Sequence, residues 1–286
     1  MVNQEIKLRQ MQIRDLKDLM EIKNDEHWNQ TERDWNFLVE NYAQHCLVAT
    51  SDDIVVGTVT STNFNKQVGW IGMMLVRKLF RGQGVSKRLM NAVIESLGDC
   101  ESIKLDATPA GTKVYEKLNF KEEYEVFRIT NREQKHISGK PLTYSVHPIS
   151  KEILKVIKEK DRLVFGCDRS KLFDYLLTQE TECHIYSGTR DDLKGYAFSR
   201  LGTNFTQIGP VVADSLETAK NLIGWAFTKV QGPVVIDILA DKPELIHWLA
   251  QNGFEIQRKF IRMYLGSNPY PGDTSQYFAI AGPEYG

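Results

Sequence analysis

A glycine-rich segment, Arg81–Ser86 (RGQGVS), carries the residue types of an anion-binding loop. Its glycines, Gly82 and Gly84, let the backbone approach a ligand closely. The segment lies between an apolar run and an amphipathic run, so we expect a strand before it and a helix after it. Free amides and the dipole at such a helix start favour a pyrophosphate, to which Arg81 would add a charged donor. The amides in position are those of Gln83, Gly84, Val85 and Ser86. An ordinary strand-to-helix turn is the alternative interpretation.

The segments around this loop alternate between strand and helix patterns. Residues 68–76 are almost all apolar, which is typical of a strand buried on both faces. A helix is expected from about Gly84 to Leu97, where apolar residues recur every four positions, and another from Pro109 to Leu118. Further strands are expected at 45–50, 54–60, 102–107 and 123–129, and further helices at 15–22 and 31–39. In the second half, strands are expected at 183–186, 195–200, 206–212 and 234–239, and helices at about 150–160, 169–179 and 216–229. This alternation predicts a mixed α/β fold.

Composition limits the kinds of partner. The 286 residues include 36 Lys+Arg and 37 Asp+Glu, with a formal net charge of −1 and a pI near 6.6. That balance argues against a basic nucleic-acid-binding face and against a polybasic membrane anchor. No apolar run reaches the ~18 residues that a membrane helix needs, and the N-terminus has no apolar signal core. We therefore expect a cytoplasmic protein, monomeric or homodimeric, with no nucleic-acid or membrane partner.

The cysteines and histidines do not have the spacing of metal ligands. The four cysteines, at positions 46, 100, 167 and 183, lie far apart in the sequence, and no HExxH motif occurs. We expect reduced thiols and no metal site. The GxSxG and GxxxxGK[ST] motifs are absent too, which disfavours hydrolase and nucleotidase functions.

The second half repeats landmarks of the first half in the same order. The matched landmarks are Leu105-Asp106 with Ile236-Asp237, and the eight-residue spacings from Phe120 to Arg128 and from Phe254 to Arg262. The shared order indicates a diverged duplication. We place a first domain at residues 1–132, a polar linker at 133–147 and a second domain with its tail at 148–286.

Together these motifs resemble the GNAT superfamily of acetyl-CoA-dependent N-acetyltransferases over about residues 5–130. The family has an apolar strand, an Arg/Gln-x-x-Gly-x-Gly/Ala loop, a helix, and a later helix with Tyr followed closely by Gly-Phe. Here the strand ends in Met74-Leu75-Val76, and Tyr115 precedes Asn119-Phe120. Ser86 and Asn119 depart from the family residues at their positions, and Thr108 stands where many members have Asn. The stretches WNQTERDW, IGPVVAD, NGF, RMYLG and AGPEYG resemble a tandem branch of the family.

The resemblance implies two GNAT-like domains, each with a mixed, mostly antiparallel sheet flanked by helices. It implies acetyl-CoA as cosubstrate, with its pantetheine paired to a strand that diverges from its neighbour and its pyrophosphate held by the loop. The implied cofactor-binding residues are Met74, Leu75, Val76, Arg81, Gly82, Gln83, Gly84, Val85, Ser86 and Thr108.

The implied reaction is direct attack of an amine on the thioester. A tyrosine hydroxyl can protonate the leaving thiolate, and Tyr115 occupies the acid position of the family; a packed aromatic on a helix is the alternative interpretation. A neutral amine requires a carboxylate or histidine nearby, and the candidates are His27, Glu32 and Asp106. Trp28 is either a wall of the acceptor pocket or a core anchor.

The second half lacks both the glycine-rich loop and the tyrosine. Gly209–Asp214 (GPVVAD) replaces the loop, and Leu249 stands where the spacing from Phe254 would place a tyrosine. We therefore predict one active acetyltransferase domain with an unidentified, small-molecule amine as acceptor; a non-catalytic acyl-CoA sensor is the alternative. The aromatic-rich tail, Gly266–Gly286, either closes the sheet of the second domain or lines the acceptor cleft with residues 277–285.

Overall fold

The apolar runs of the sequence become strands of one continuous sheet. The computed structural model describes residues 5–133, 146–178 and 184–286. Within these ranges the strands are β1 (Lys7–Gln10), β2 (Leu47–Ser51), β3 (Ile54–Phe64), β4 (Val68–Val76), β5 (Ser102–Ala107), β6 (Lys121–Asn131), β7 (Val146–Pro148), β8 (Ile185–Gly188), β9 (Leu193–Arg200), β10 (Thr206–Ala213), β11 (Val234–Leu239), β12 (Glu255–Gly266) and β13 (Tyr277–Ala279). The helices are α1 (Leu16–Asp25), α2 (Glu32–Tyr42), α3 (Val85–Ser96), α4 (Pro109–Glu116), α5 (Lys151–Phe165), α6 (Ser170–Leu177), α7 (Leu216–Lys229) and α8 (Pro243–Gln251).

Two strands, one from each half, are exchanged at the centre of the sheet. The strand order is β1-β2-β3-β4-β5-β12-β6-β11-β13-β10-β9-β8-β7. Thus β12 of the second half lies between β5 and β6 of the first, and β6 pairs on its other side with β11 of the second. Among the described strands, the pairs β4–β5 and β10–β11 are parallel and the others are antiparallel. The prediction of a mixed, mostly antiparallel sheet flanked by helices is confirmed, while the exchange was not predicted.

Two bidentate ion pairs join the exchanged strands. Arg262 on β12 lies opposite Asp106 on β5, with both N–O distances at 2.9 Å. Arg128 on β6 lies opposite Asp237 on β11, with both distances at 2.8 Å. These are the repeated landmarks of the sequence, and each pair joins the aspartate of one half to the arginine of the other. The duplication is therefore visible as a pseudosymmetric exchange.

The helices cover both faces of the sheet. Since successive strand residues face opposite sides, Trp70 packs with α1, α2, α5 and α6, and its neighbour Ile71 packs with α3 and α4. The helices α7 and α8 form a further core against the second half of the sheet. Each face of the central strands is thereby shielded from water.

Several predicted boundaries agree with the structure to within a few residues. The helix expected from Gly84 to Leu97 is α3, and the strand expected at 68–76 is β4. The strands β1, β7, β12 and β13 and the helix α8 were not predicted, and β7 includes the last two residues of the proposed linker. Most of the proposed linker, together with Cys183, lies outside the described residues, and the domain limits stay a prediction. Across the described ranges, no helix is long and apolar enough to cross a membrane.

Candidate active site

The parallel strands β4 and β5 separate partway along their length. They pair from Val68 with Ser102 to Ile71 with Leu105, and the residues of β4 beyond Ile71 pair with β3 alone. A register shift in the β3–β4 ladder coincides with a left-handed Met73, whose φ is 51°. Such a bulge bends a strand and redirects its amides. The edge of β4 that faces β5 is therefore left open from Gly72 onward.

A cavity of about 110 Å³ lies at this divergence. Five of the predicted site residues line it: Trp28, Met74, Asp106, Thr108 and Tyr115. The lining also includes Arg128 of β6 and Arg258 and Phe260 of β12, which the sequence had not assigned to a site. Pro283 and Glu284 line it as well, and they belong to the stretch 277–285 that one interpretation of the tail placed at the acceptor cleft. Both halves of the chain thus build one cavity.

Tyr115 lies on α4 at the wall of the cavity. Its ring packs over Gly111, where an added Cβ would lie 3.1 Å from Tyr115 Cε2, and its centroid is 6.0 Å from that of Phe120. Burial raises the pKa of Tyr115 to about 12. At this pKa the hydroxyl keeps its proton at neutral pH. Within the described ranges no group hydrogen-bonds the hydroxyl, so its proton is available to a ligand.

Two of the predicted residues have structural partners within the site. Thr108 is the N-cap of α4, and its Oγ1 accepts a hydrogen bond of 3.3 Å from the amide of Gly111. Burial raises the pKa of Asp106 and the adjacent Arg262 guanidinium opposes this shift. Both carboxylate oxygens of Asp106 accept from Arg262, so this candidate base is already engaged.

The glycine-rich loop has the backbone expected of an anion site. Gly82 and Gly84 are left-handed, with φ of 76° and 78°, and an added Cβ on either would meet nothing within 4 Å. The first bonded amide of α3 is that of Arg88, which donates to Gly84 O at 3.0 Å. No carbonyl of the described residues accepts from amides 84–87, which leaves four donors without a backbone partner in that part of the chain.

Arg81 does not extend into that open space. Its Nη2 lies 2.6 Å from Glu26 Oε1, at the end of α1, and its Nε donates to the carbonyl of Val76 at 3.0 Å. The side chain ties the loop to α1 and to the end of β4. Arg81 therefore fixes the position of the loop, and the groups that remain for binding an anion are the backbone amides.

Two of the candidate bases lie away from the cavity. His27 is exposed, with a φ of 55°, and Glu32 is exposed in the first turn of α2. Trp28, by contrast, lines the cavity, and Asn204 of the second half donates to its carbonyl at 3.1 Å. The structure gathers Tyr115, Asp106 and Trp28 at the site and leaves His27 and Glu32 outside it.

The tail takes two roles along its length. Its strand β13 pairs with β10 and β11, closing the sheet of the second half. Farther on, Trp70 Nε1 donates to the carbonyl of Pro283 at 3.0 Å, and an added Cβ on Gly72 would lie 2.9 Å from Glu284 Cα. The tail thus crosses to the first half and forms a wall of the cavity beside β4.

The corresponding divergence in the second half is filled. The strands β10 and β11 pair only from Thr206 with Val234 to Ile208 with Ile236. Beyond that point, Ala279 of β13 pairs with Val211 on one side and with Ile238 on the other. The tail strand β13 therefore fills the gap between β10 and β11, whereas the equivalent gap between β4 and β5 in the first half stays open. Leu249, at the position that corresponds to Tyr115, is fully buried.

Comparisons with known proteins match both halves. Residues 9–120 match the acetyltransferase (GNAT) family, and residues 157–279 match an acetyltransferase (GNAT) domain. Among curated proteins, the uncharacterized N-acetyltransferase YitH of Bacillus subtilis (strain 168) is 29% identical over 198 residues. That match spans 64% of this chain and 65% of YitH, which is just under two thirds of that relative.

Solved structures share the fold along most of the chain. A candidate acetyltransferase from Pyrococcus horikoshii has a TM-score of 0.83 at 22% identity, covering 100% of this chain and 98% of that one. A GCN5-related N-acetyltransferase from Sphaerobacter thermophilus has a TM-score of 0.66 at 11% identity, covering 91% and 95%. A tandem GNAT protein from the clavulanic acid biosynthesis pathway has a TM-score of 0.62 at 14% identity, covering 91% and 98%. At these identities the likeness concerns the fold alone.

Proposed function

Because this chain belongs to the GNAT family of acetyltransferases, we propose that it transfers an acetyl group from acetyl-CoA to the amine of a small acceptor in the cavity between β4 and β5. The observation that carries the proposal is the contrast between the two halves. The gap between β4 and β5 is open and bears a cavity, whereas β13 occupies the gap between β10 and β11. One cosubstrate site per chain follows from this contrast.

Two features of the first half support acetyl-CoA as the cosubstrate. The unpaired edge of β4, at Met74, Leu75 and Val76, offers backbone groups to the amides of pantetheine as a neighbouring strand would. The free amides at the start of α3, together with the helix dipole, suit the pyrophosphate. We assign the anion to these amides and assign Arg81, which is paired with Glu26, to holding the loop in place.

The proposed reaction is direct transfer. The amine nitrogen attacks the thioester carbon, a C–N bond forms, and the C–S bond breaks as Tyr115 supplies a proton to the leaving sulfur. Amides at the β4 bulge, beside Met73 and Met74, would donate to the carbonyl oxygen as negative charge develops there. The proton that the amine loses restores Tyr115 through solvent. With a pKa of about 12, Tyr115 stays protonated until the thiolate forms.

The acceptor side favours a small molecule. Trp28, Phe260 and Pro283 wall the cavity, and the last two belong to the second half and its tail. A long peptide would have to displace these residues to bring its amine to the gap. We therefore propose residues 1–132 as the catalytic domain and 148–286 as a second domain that lends β12 and its tail to the acceptor site.

Release of free thiol from acetyl-CoA tests this proposal. The full chain is incubated with acetyl-CoA and single amines from a panel of small amines, amino acids and peptides, and the acetylated product is identified by mass. We expect acceptor-dependent thiol release with at least one small amine. Tight binding of acetyl-CoA with no release above the acceptor-free rate for every amine would identify a sensor and contradict the proposal.

A further inference from the structure

Arg258, at the wall of the active-site cavity, has no ion-pair partner among the described residues. It lies on β12, half-buried, beside Phe260. It makes neither an ion pair nor a hydrogen bond with any residue in the described ranges. The other cavity-lining charges are paired: Asp106 with Arg262, Arg128 with Asp237, and Glu284 with Arg200. Arg258 is therefore the charge of the lining that the protein leaves uncompensated within the described residues.

The position of Arg258 is unfavourable for folding. It lies directly opposite Arg128 in the β6–β12 ladder, and like charges in that relation destabilise a sheet. Burial and the Arg128 charge both lower the pKa of Arg258, and the Asp237 charge opposes this shift in part. The register shifts by one residue between Ile256 and Arg258, so the arginine sits immediately after a bulge that redirects the strand. A half-buried arginine that carries these costs, and has no hydrogen-bond or ion-pair partner within the described ranges, is typical of a ligand-binding group.

The place of Arg258 separates it from the cosubstrate contacts. The loop that would hold the pyrophosphate follows β4, whereas β12 lies two strand positions from β4, roughly 10 Å across the sheet. Both strands line one cavity, which Met74 of β4 and Arg258 of β12 share with Tyr115 of α4. A ligand that reaches Arg258 from the reacting centre therefore lies on the acceptor side.

We propose that Arg258 binds an acidic group of the acceptor, so that the substrate of this transferase is an amine that carries a carboxylate or phosphate. This inference rests on the proposed function and adds the chemical class of the acceptor. The planar guanidinium fork matches either anion with two parallel hydrogen bonds. The cavity, at about 110 Å³, holds a small polar group easily, since a single water needs only about 10–15 Å³.

Matched acceptor pairs test the assignment. The pairs are α-amino acids with their amides, ω-amino acids with their amides, and aminoalkyl phosphates with the corresponding amino alcohols. We expect the wild-type chain to prefer the acidic member of at least one pair by about tenfold or more in kcat/KM. Arg258→Gln should lower kcat/KM for that acidic member by about 10- to 100-fold, mainly through KM, and leave its neutral partner almost unchanged. Arg258→Lys should restore part of the loss.

The control is the next residue on the same strand. Lys259 pairs with Glu125 at 2.7 Å on the opposite side of the sheet, so Lys259→Gln should keep the acidic preference. The melting temperature of Arg258→Gln should be unchanged or higher, because the repulsion from Arg128 is relieved. Calorimetry should give the same acetyl-CoA affinity for both variants and the wild type.

Four results would overturn the assignment. They are a wild type without preference for any acidic member, an equal loss for both members of a pair, a fall in acetyl-CoA affinity in Arg258→Gln alone, and a lower melting temperature with unchanged selectivity. If no amine supports thiol release, the proposed function fails, and the same pairs are titrated calorimetrically into the CoA-loaded chain. Acid-selective binding lost in Arg258→Gln would then still support the role of Arg258, and its absence would overturn it.

Discussion

For individual residues, the sequence predicted which side chains line the cavity better than it predicted their hydrogen-bond and ion-pair partners. Tyr115, Thr108 and Asp106 were singled out by position and do line the cavity, but nothing in the sequence shows that Arg262 would occupy both oxygens of Asp106. Asn119 stands where the family has glycine, and its φ of 66° explains why asparagine, which tolerates this region, can replace it. Arg258 escaped notice because its place at the site depends on the exchanged strand. Glu284 lies in the stretch 277–285, which one of the two interpretations of the tail placed at the acceptor cleft.

The proposed acid gives a prediction at this scale. Tyr115→Phe keeps the ring that packs over Gly111 and removes the proton, so kcat should fall by about 10²–10⁴-fold. Acetyl-CoA affinity, measured by calorimetry, should stay within about twofold. Because the pKa of Tyr115 is about 12, ionisation of this tyrosine should cause no loss of wild-type kcat up to about pH 10. Tyr264→Phe, on β12 and away from the cavity, is the control, and equal rates in the two variants would refute the assignment.

Among the helices, strands and loops, the glycine-rich loop was the easiest to predict. Its pattern of glycines between a strand and a helix is local in the sequence and does not depend on contacts with distant parts of the chain. The structure shows why glycine suits both positions. Gly82 and Gly84 have left-handed backbone conformations, which other residues rarely adopt, and the space beside each is open to a ligand. The strand β12 was missed, because EIQRKFIRMYLG has neither the alternation of a half-buried strand nor the apolar run of a buried one. Its first residues are exposed and its centre is buried on both faces.

A pair of glycines with the same geometry separates binding from backbone strain. Gly84 and Gly232 have φ of 78° and 79°, and an added Cβ would meet nothing within 4 Å at either. Alanine at each position should cost a similar free energy of unfolding, about 1–2 kcal/mol. Only Gly84→Ala should weaken acetyl-CoA binding, by about tenfold or more, because its methyl group would enter the space assigned to the pyrophosphate. Equal affinities in the two variants would remove the loop from the site.

The ion pairs between the exchanged strands give a stability prediction. Arg262→Met leaves Asp106 buried without its partner and should lower the free energy of unfolding by about 3–5 kcal/mol. The loss should shrink as the pH is lowered, because protonation neutralises the stranded carboxyl group whose pKa burial already raises. Urea unfolding at several pH values measures it. Lys259→Met, which breaks the half-exposed pair with Glu125, should cost less than about 1 kcal/mol, and similar losses in the two variants would contradict the role of burial.

At the scale of the whole molecule, the duplication could be predicted from the sequence and the exchange of strands could not. The spacings from Phe120 to Arg128 and from Phe254 to Arg262 identify equivalent strands, and each half has its own aspartate. A pairing within each half and a pairing across the halves would use the same residues at the same spacing. The choice depends on long-range packing of β12 against β5, which no local pattern records. The same exchange brings Arg258 to the cavity of the first half.

The difference between the two halves also governs how many ligands the molecule holds. The gap of the first half is open, and the tail strand β13 fills the gap of the second. Calorimetric titration of acetyl-CoA into the full chain tests this most directly. We predict a single site per chain. Two equivalent sites, or no binding by a folded chain, would contradict the account.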